Sequence, residues 1–449
     1  MKRVGIAFLL CLLHISLAHS QQHELSSSPQ NEWSGSVEQK LWGLMTIWSE
    51  ARYAFPHFEM RPDLDWDEKV QEYIPRVLAT PDMESYYRVL MEFAALLDDG
   101  HTAVIPPWGY FTPGYDTPPI EITVVEGKFV VARAGDTDEI AEQQIYPGLE
   151  ILEIGEHEPI RTYFRNQVLR YYSQGSPHAD DGMLVVYLLY GPKDEPIQLT
   201  VKDPEGTIRA VRLTRNSTTR DGTPFVYGFI QQSLFAEHLE SAMLADEILY
   251  VNIPNFSHDQ IAIDFLDLLE RVDLASLHGM ILNVRQNMGG SSRVCNQIIA
   301  SLIETPVSTT HWHYPQHIAA YRAWGLEEPL WATKHGTITP RDGKRYTGPL
   351  VILTSPVTNS SSEDFAIILQ YAGRAVVVGQ RTAGGAGNPL TVPLPGGGVF
   401  EVSTFKATHP DGTAYASLGI QPDIEVYPTL QDIITGSDRV LETGITAMK

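Results

Sequence analysis

The sequence predicts an α/β protein of several parts: an N-terminal helical region, a small β-rich module and a larger core on a buried, largely parallel sheet. Three observations carry that expectation. Apolar residues recur at helical 3–4 spacing between residues 41 and 97, and strand pairs with turn signals, around a helical segment near residues 160–190, mark residues 120–214. From about residue 236, continuous apolar strands alternate with amphipathic helices, the pattern of a parallel sheet covered on both faces. At 449 residues the chain exceeds one ordinary core, and 43% hydrophobic with 19% charged residues is a globular composition.

The chain begins as a targeting segment. Lys2 and Arg3 precede the apolar run "VGIAFLLCLLHISLA", and Ala18-His19-Ser20 has the small-x-small form of a cleavage site, so residues 1–20 read as a signal peptide. Residues 21–35 read as a polar, Ser-rich leader. The expectation is an exported protein, periplasmic or secreted, with no membrane span after cleavage. Removal of the signal takes the net charge from -23 to -25, which disfavours nucleic acid and anionic membranes as partners. Cys295 is then the one remaining cysteine, within the apolar pattern Val294, Cys295, Ile298, Leu302, and reads as core.

Residues 36–105 form the helical region. Its stripes are Leu41, Leu44, Met45, Trp48; then Val70, Tyr73, Ile74, Val77, Leu78; then Tyr86, Val89, Leu90, Phe93, Leu97. Asp98-Asp99-Gly100 ends the third, and "PPWGYFTPGYDTPP" marks a boundary. The β module spans residues 117–215, with a hairpin turning at Glu126-Gly127. The core spans 236–430, with strands "ILYVNI", "GMILNV", "PLVILT" and "AVVVG", and residues 431–449 read as a tail.

Three segments could carry chemistry. In "PLVILTSPVTNSSSEDFAIILQYAG" a buried strand runs through a loop into a helix, with Ser360 at the N-cap and Glu363 three residues on. That is a capping box, and also a hydroxyl beside free N–H groups and a positive helix end. In "GMILNVRQNMGGSSRV" the glycines Gly289 and Gly290 let backbone approach a ligand closely. In "LLDDGHTAV", His101 follows a turn beside Asp98 and Asp99, and histidine is the commonest base for activating serine. A fourth segment, "HWHYPQH", places His311, His313 and His317 close together, but no carboxylate or cysteine stands at ligand spacing, so no metal is expected.

Together and in this order, these segments resemble the tail-specific (C-terminal processing) serine peptidases. The resemblance is closer to the branch of the tricorn core and the interphotoreceptor retinoid-binding protein. It is carried by "DWDEKVQEYIP", "LLDDGHTAV", "YPGLEILEIGEHEPI", "GMILNVRQNMGGSS", "LTSPVTNSSSEDFA", "AVVVGQRTAGG" and "GIQPDIEV". It implies a crotonase-like core and a PDZ-like module at 117–215. It also implies hydrolysis of peptide or protein substrates through an acyl-enzyme, without metal or organic cofactor. Ser360 would be the nucleophile and His101 the general base, with an oxyanion hole from Ser361 N–H and the Gly289-Gly290 turn.

The departures from that family are specific. Gly385 stands where the processing branch has its lysine base, and Gly100 where the tricorn-like branch has a serine. "GTAYASLGIQPD" lacks the acid expected before the last strand, which leaves Asp98, Asp99 and Glu401 as candidates to orient His101. Asn283 replaces the usual aspartate of the first strand, and no carboxylate-binding loop is evident in "GYDTPPIEI". The alternative reading is a non-catalytic member of the same scaffold that binds a peptide or hydrophobic ligand.

Overall fold

A computed structural model describes residues 33–107, 115–155, 157–225, 233 and 236–448. The signal peptide and nearly all of the leader lie outside the described residues, as does part of the boundary at 106–119. Among the described residues, no helix is long and apolar enough to cross a membrane.

Three helices open the chain: α1 (Val37–Ala54), α2 (Trp66–Leu78) and α3 (Met83–Ala95). Each starts on a side chain that accepts an otherwise orphan backbone N–H: Ser36, Asp65 and Asp82. Their apolar stripes meet in a core of Leu44, Ile47, Val77, Tyr86, Tyr87 and Phe93, with Trp66 stacked on Phe93 at 4.2 Å. The short strand β1 (Ala103–Ile105) then leaves the helices.

The module is one antiparallel sheet, ordered β2 (Ile120–Val125), β3 (Lys128–Ala134), β4 (Glu150–Ile154), β5 (Pro196–Lys202) and β6 (Ile208–Thr214). Helix α4 (Pro177–Met183) interrupts it and faces the rest of the molecule.

The core sheet begins with β7 (Glu240–Met243) antiparallel to β8 (Ile248–Asn252). It continues in parallel through β9 (Gly279–Asn283), β10 (Leu350–Thr354), β11 (Val376–Gly379) and the short Ile424–Glu425. Every residue of β9 and β10 is buried, as two covered faces require. One face carries α5 (Asp259–Arg271), α6 (Ser292–Ala300) and α7 (Ser361–Tyr371), with Phe265, Ile298, Phe365 and the fully buried Cys295 in their core. The residues read as a tail instead supply a helix, Arg439–Thr446, whose Val440 packs with Ile281, Val351 and Leu353 on the opposite face. The fully apolar strands demand such a cover.

A hairpin of Leu390–Pro393 and Val399–Val402 joins these parts. Its second strand pairs with β1, Ala103 opposite Glu401 and Val104 opposite Phe400. Leu394, Phe400 and Val402 enter the helical core. At the hairpin tip, the buried Tyr87 hydroxyl donates to Pro395 O (2.7 Å) and accepts from Gly398 N–H (2.9 Å). Tyr87→Phe strands both backbone groups, and should lower unfolding stability by about 1–3 kcal/mol in urea titration without loss of helical circular dichroism.

Candidate active site

The site lies where the parallel strands of the core end. Beyond β10 the chain is clipped to the turn after β9: Thr358 Oγ1 donates to Val284 O (2.9 Å) and Asn359 N–H to Asn287 O (3.2 Å). Ser360 follows at φ 55°, ψ −129°, a backbone region that L-residues rarely occupy. Its N–H is surrounded by acceptors that hold this geometry: Asn359 Oδ1 (2.8 Å), Gly385 O (3.1 Å) and Glu363 Oε2 (3.2 Å). The carboxylate half of the expected capping box is therefore made. Glu363 N–H goes to the Ser360 carbonyl (2.8 Å), so the helix end is capped without calling on the Ser360 hydroxyl.

Glu363 is fully buried and carries a second load, because its Oε1 accepts from Thr382 Oγ1 (2.5 Å) and Gly384 N–H (2.8 Å). Burial pushes its carboxyl up to about 8, against those hydrogen bonds. The same acid thus fixes the Ser360 turn and the 382–385 loop beside it.

The Gly289-Gly290 turn lies directly against Ser360. Gly289 has φ 106°, and a Cβ there would come within 2.8 Å of Ser360 Cβ and 3.1 Å of Ser361 N. Only glycine allows that approach. The Gly289 N–H is already taken by Asn287 Oδ1 (2.9 Å). Gly290 N–H and Ser361 N–H, the latter opening α7, have no acceptor among the described residues. Of the three residues expected to form an oxyanion hole, these two keep their donors available.

His101 reaches the same place from the helical region, 4% exposed. Its turn is held by the buried Asp99, whose Oδ2 accepts from His101 N–H (3.1 Å), Thr102 Oγ1 (2.7 Å) and Ser403 Oγ (2.6 Å). The loop that offers Gly385 O to Ser360 passes His101 two residues later, where a Cβ on Gly387 would lie 3.2 Å from His101 Cβ. Residues 385–387 therefore border both side chains. The other candidate acids are placed differently. Asp98 turns outward, ion-paired with Arg61 (3.0 Å) and bonded to Ser173 Oγ. Glu401 is buried on the strand that pairs with β1, within reach of Thr391 Oγ1 (3.4 Å).

Two departures noted in the sequence acquire a physical reason. A Cβ at Gly385 would sit 2.1 Å from Asn359 Oδ1, so the side chain that positions Ser360 fills the space a lysine would need. Asn283 is buried at the end of β9, donating to Asn252 Oδ1 (2.9 Å) and accepting from Arg285 Nε (2.7 Å). In the histidine tract, both His313 ring nitrogens bond threonine hydroxyls, those of Thr333 and Thr408.

Residues 247–426 match peptidase family S41. The chain is a serine peptidase whose core resembles family S41. Among its relatives is the carboxyl-terminal-processing protease of Picosynechococcus sp., 24% identical over 367 residues, covering 80% of this chain and 76% of the relative. CtpB of Bacillus subtilis is 25% identical over 195 residues, covering 43% and 37%. The tricorn protease of Thermoplasma acidophilum is 24% identical over 179 residues, covering 39% of this chain and 15% of that protein. In fold, mature CPAF complexed with lactacystin superposes with a TM-score of 0.72 at 15% identity, over 92% of this chain and 98% of that one. The S41 fold of mixed α/β sheets and helices is thereby shared along nearly the whole described chain.

Several site residues went unnoticed in the sequence. Asn287, Asn359 and Thr382 are fully buried polar residues at the ends of core strands or in the loops beyond them. His57 is buried near Asp99 and Ala386, and burial pulls its imidazole below the usual range while Asp99 opposes the shift. The module also reaches the site: His178 Nε2 bonds Thr382 O (2.7 Å), and Ala179 and Met183 of α4 pack on Met288 and Ala383.

The Glu363 carboxyl gives a pH test. Its value is near 8 in the folded chain and about 4.5 when unfolded, so its neutral form stabilises the fold at low pH. That contribution is lost as pH rises from 4.5 through 8. In a Ser360→Ala background, Glu363→Gln should remove this loss, so the variant gains on its parent by up to about 1.4 kcal/mol per pH unit across that window. Urea midpoints at pH 5, 6.5 and 8 measure it, and parallel profiles would show a charged Glu363 throughout.

Proposed function

We propose that this serine peptidase hydrolyses peptide bonds outside the cytoplasm through an acyl-enzyme on Ser360, with His101 as general base. The observation that carries the reading is the Ser360 backbone at φ 55°, ψ −129°, seated on Gly289. That conformation is costly, and such strain persists where the surrounding structure over-determines it. The Ser360 hydroxyl attacks the scissile carbonyl while His101 takes its proton. The tetrahedral oxyanion is met by Ser361 N–H and Gly290 N–H. His101 returns the proton to the leaving amine as the C–N bond breaks, and water then cleaves the ester by the same path. Asp99 is the acid we assign to positioning His101, acting through the backbone of its turn. The core belongs in this reading to the crotonase-like type and the module to the PDZ-like type.

Fluorophosphonate labelling tests the assignment. Wild-type protein should label at Ser360, and Ser360→Ala and His101→Ala should each lose labelling, with peptide turnover reduced by roughly 10⁴-fold or more. Labelling that survives His101→Ala moves the base elsewhere. A folded wild-type protein that never labels favours a binding role for this scaffold.

Export rests on residues 1–20. Full-length chain expressed in a bacterial host should be recovered outside the cytoplasm with a mature N-terminus near Gln21 by N-terminal sequencing, and an intact Met1 there would overturn it.

A further inference from the structure

Away from Ser360, the helical region and the module enclose a cavity of about 270 Å³. One part of its wall is aromatic, with Tyr172 and Tyr187 stacked at 5.4 Å. Another carries the half-buried Arg215, with Tyr115, Tyr163 and Tyr190 also lining the space. Arg215 Nε donates to Leu189 O (2.9 Å), but no carboxylate pairs with its guanidinium among the described residues. Burial lowers its pKa, with Tyr163 and Glu195 only opposing the shift. Gly191 makes room for it, since a Cβ there would lie 2.6 Å from Arg215 Nε and 2.7 Å from Cζ. The Tyr190 hydroxyl is buried with no hydrogen-bond partner.

Folding has thus drawn a cation and a hydroxyl partly out of water without pairing either directly with a carboxylate. A ligand that brings a carboxylate recovers part of that desolvation cost, and the planar guanidinium fork can take it in bidentate fashion. Tyrosine faces favour a ring beside it, and the volume suits one or two rings rather than a drug-sized ligand. We propose that this cavity binds a small aromatic carboxylate, its anionic end held by Arg215 and the Tyr190 hydroxyl and its ring by the tyrosine wall.

The proposal is independent of the catalytic assignment, and calorimetry on full-length mature Ser360→Ala protein keeps the two apart. N-acetylphenylalanine is expected to bind, with its amide about tenfold weaker or worse. Arg215→Met should erase that preference, Arg215→Lys should keep part of it, and Tyr190→Phe should weaken the acid several-fold. A hexapeptide ending in phenylalanine that binds like the free acid identifies chain ends as the source, whereas binding of the free acid alone identifies small metabolites. Equal binding of acid and amide, no binding of either at millimolar concentration, or acid binding that survives Arg215→Met overturns the proposal. Should Arg215→Met fail to fold by circular dichroism, the acid–amide comparison and Tyr190→Phe decide.

Discussion

The contact on which the site depends is the one between the α-carbon of Gly289 and the side chain of Ser360. No side chain fits between them, and the serine backbone must leave the ordinary N-cap conformation to present itself there. Such a conformation costs on the order of 1–3 kcal/mol, and the surroundings show how it is held. Asn359, Gly385 and Glu363 surround the Ser360 N–H, while Asn287 ties the glycine turn to the loop before Ser360.

Much of the remaining architecture serves to bring these loops to one place. The parallel strands end together, so the turns after β9, β10 and β11 are neighbours by construction. A buried glutamate then links the second to the third, and its neutral form is the cheaper one in that dry setting. The histidine arrives by another route. β1 pairs with a core hairpin whose apolar residues are shared with the helical bundle, so the position of His101 is set by packing between parts rather than within one. The module completes the enclosure through α4, which touches the 382–383 loop.

Elements governed by periodicity were legible along the chain. The three helical stripes, the 126–127 hairpin and the apolar strands of the core all report local rules, because the face a residue buries repeats at 3.6 or 2 residues. Ser360, Glu363 and the glycine pair were legible as well, since a strand-to-helix junction has few chemical solutions. The C-terminal helix was misread as a tail. Its residues look like any short amphipathic segment, and only the uncovered face of the sheet, formed by distant strands, requires it.

Sequence by itself determined the kind of fold, the residues at its strand ends and the family they resemble, because these follow from patterning and from short-range geometry. Tertiary structure alone decided which N–H groups stay free beside Ser360, that Asn359 occupies the space at Gly385, and that Asp98 faces outward while Asp99 holds the histidine turn. It also left Arg215 without a carboxylate among tyrosines drawn from separate segments. Each of these depends on atoms brought within a few ångströms across scores or hundreds of residues, and such proximity is a property of packing that no local pattern encodes.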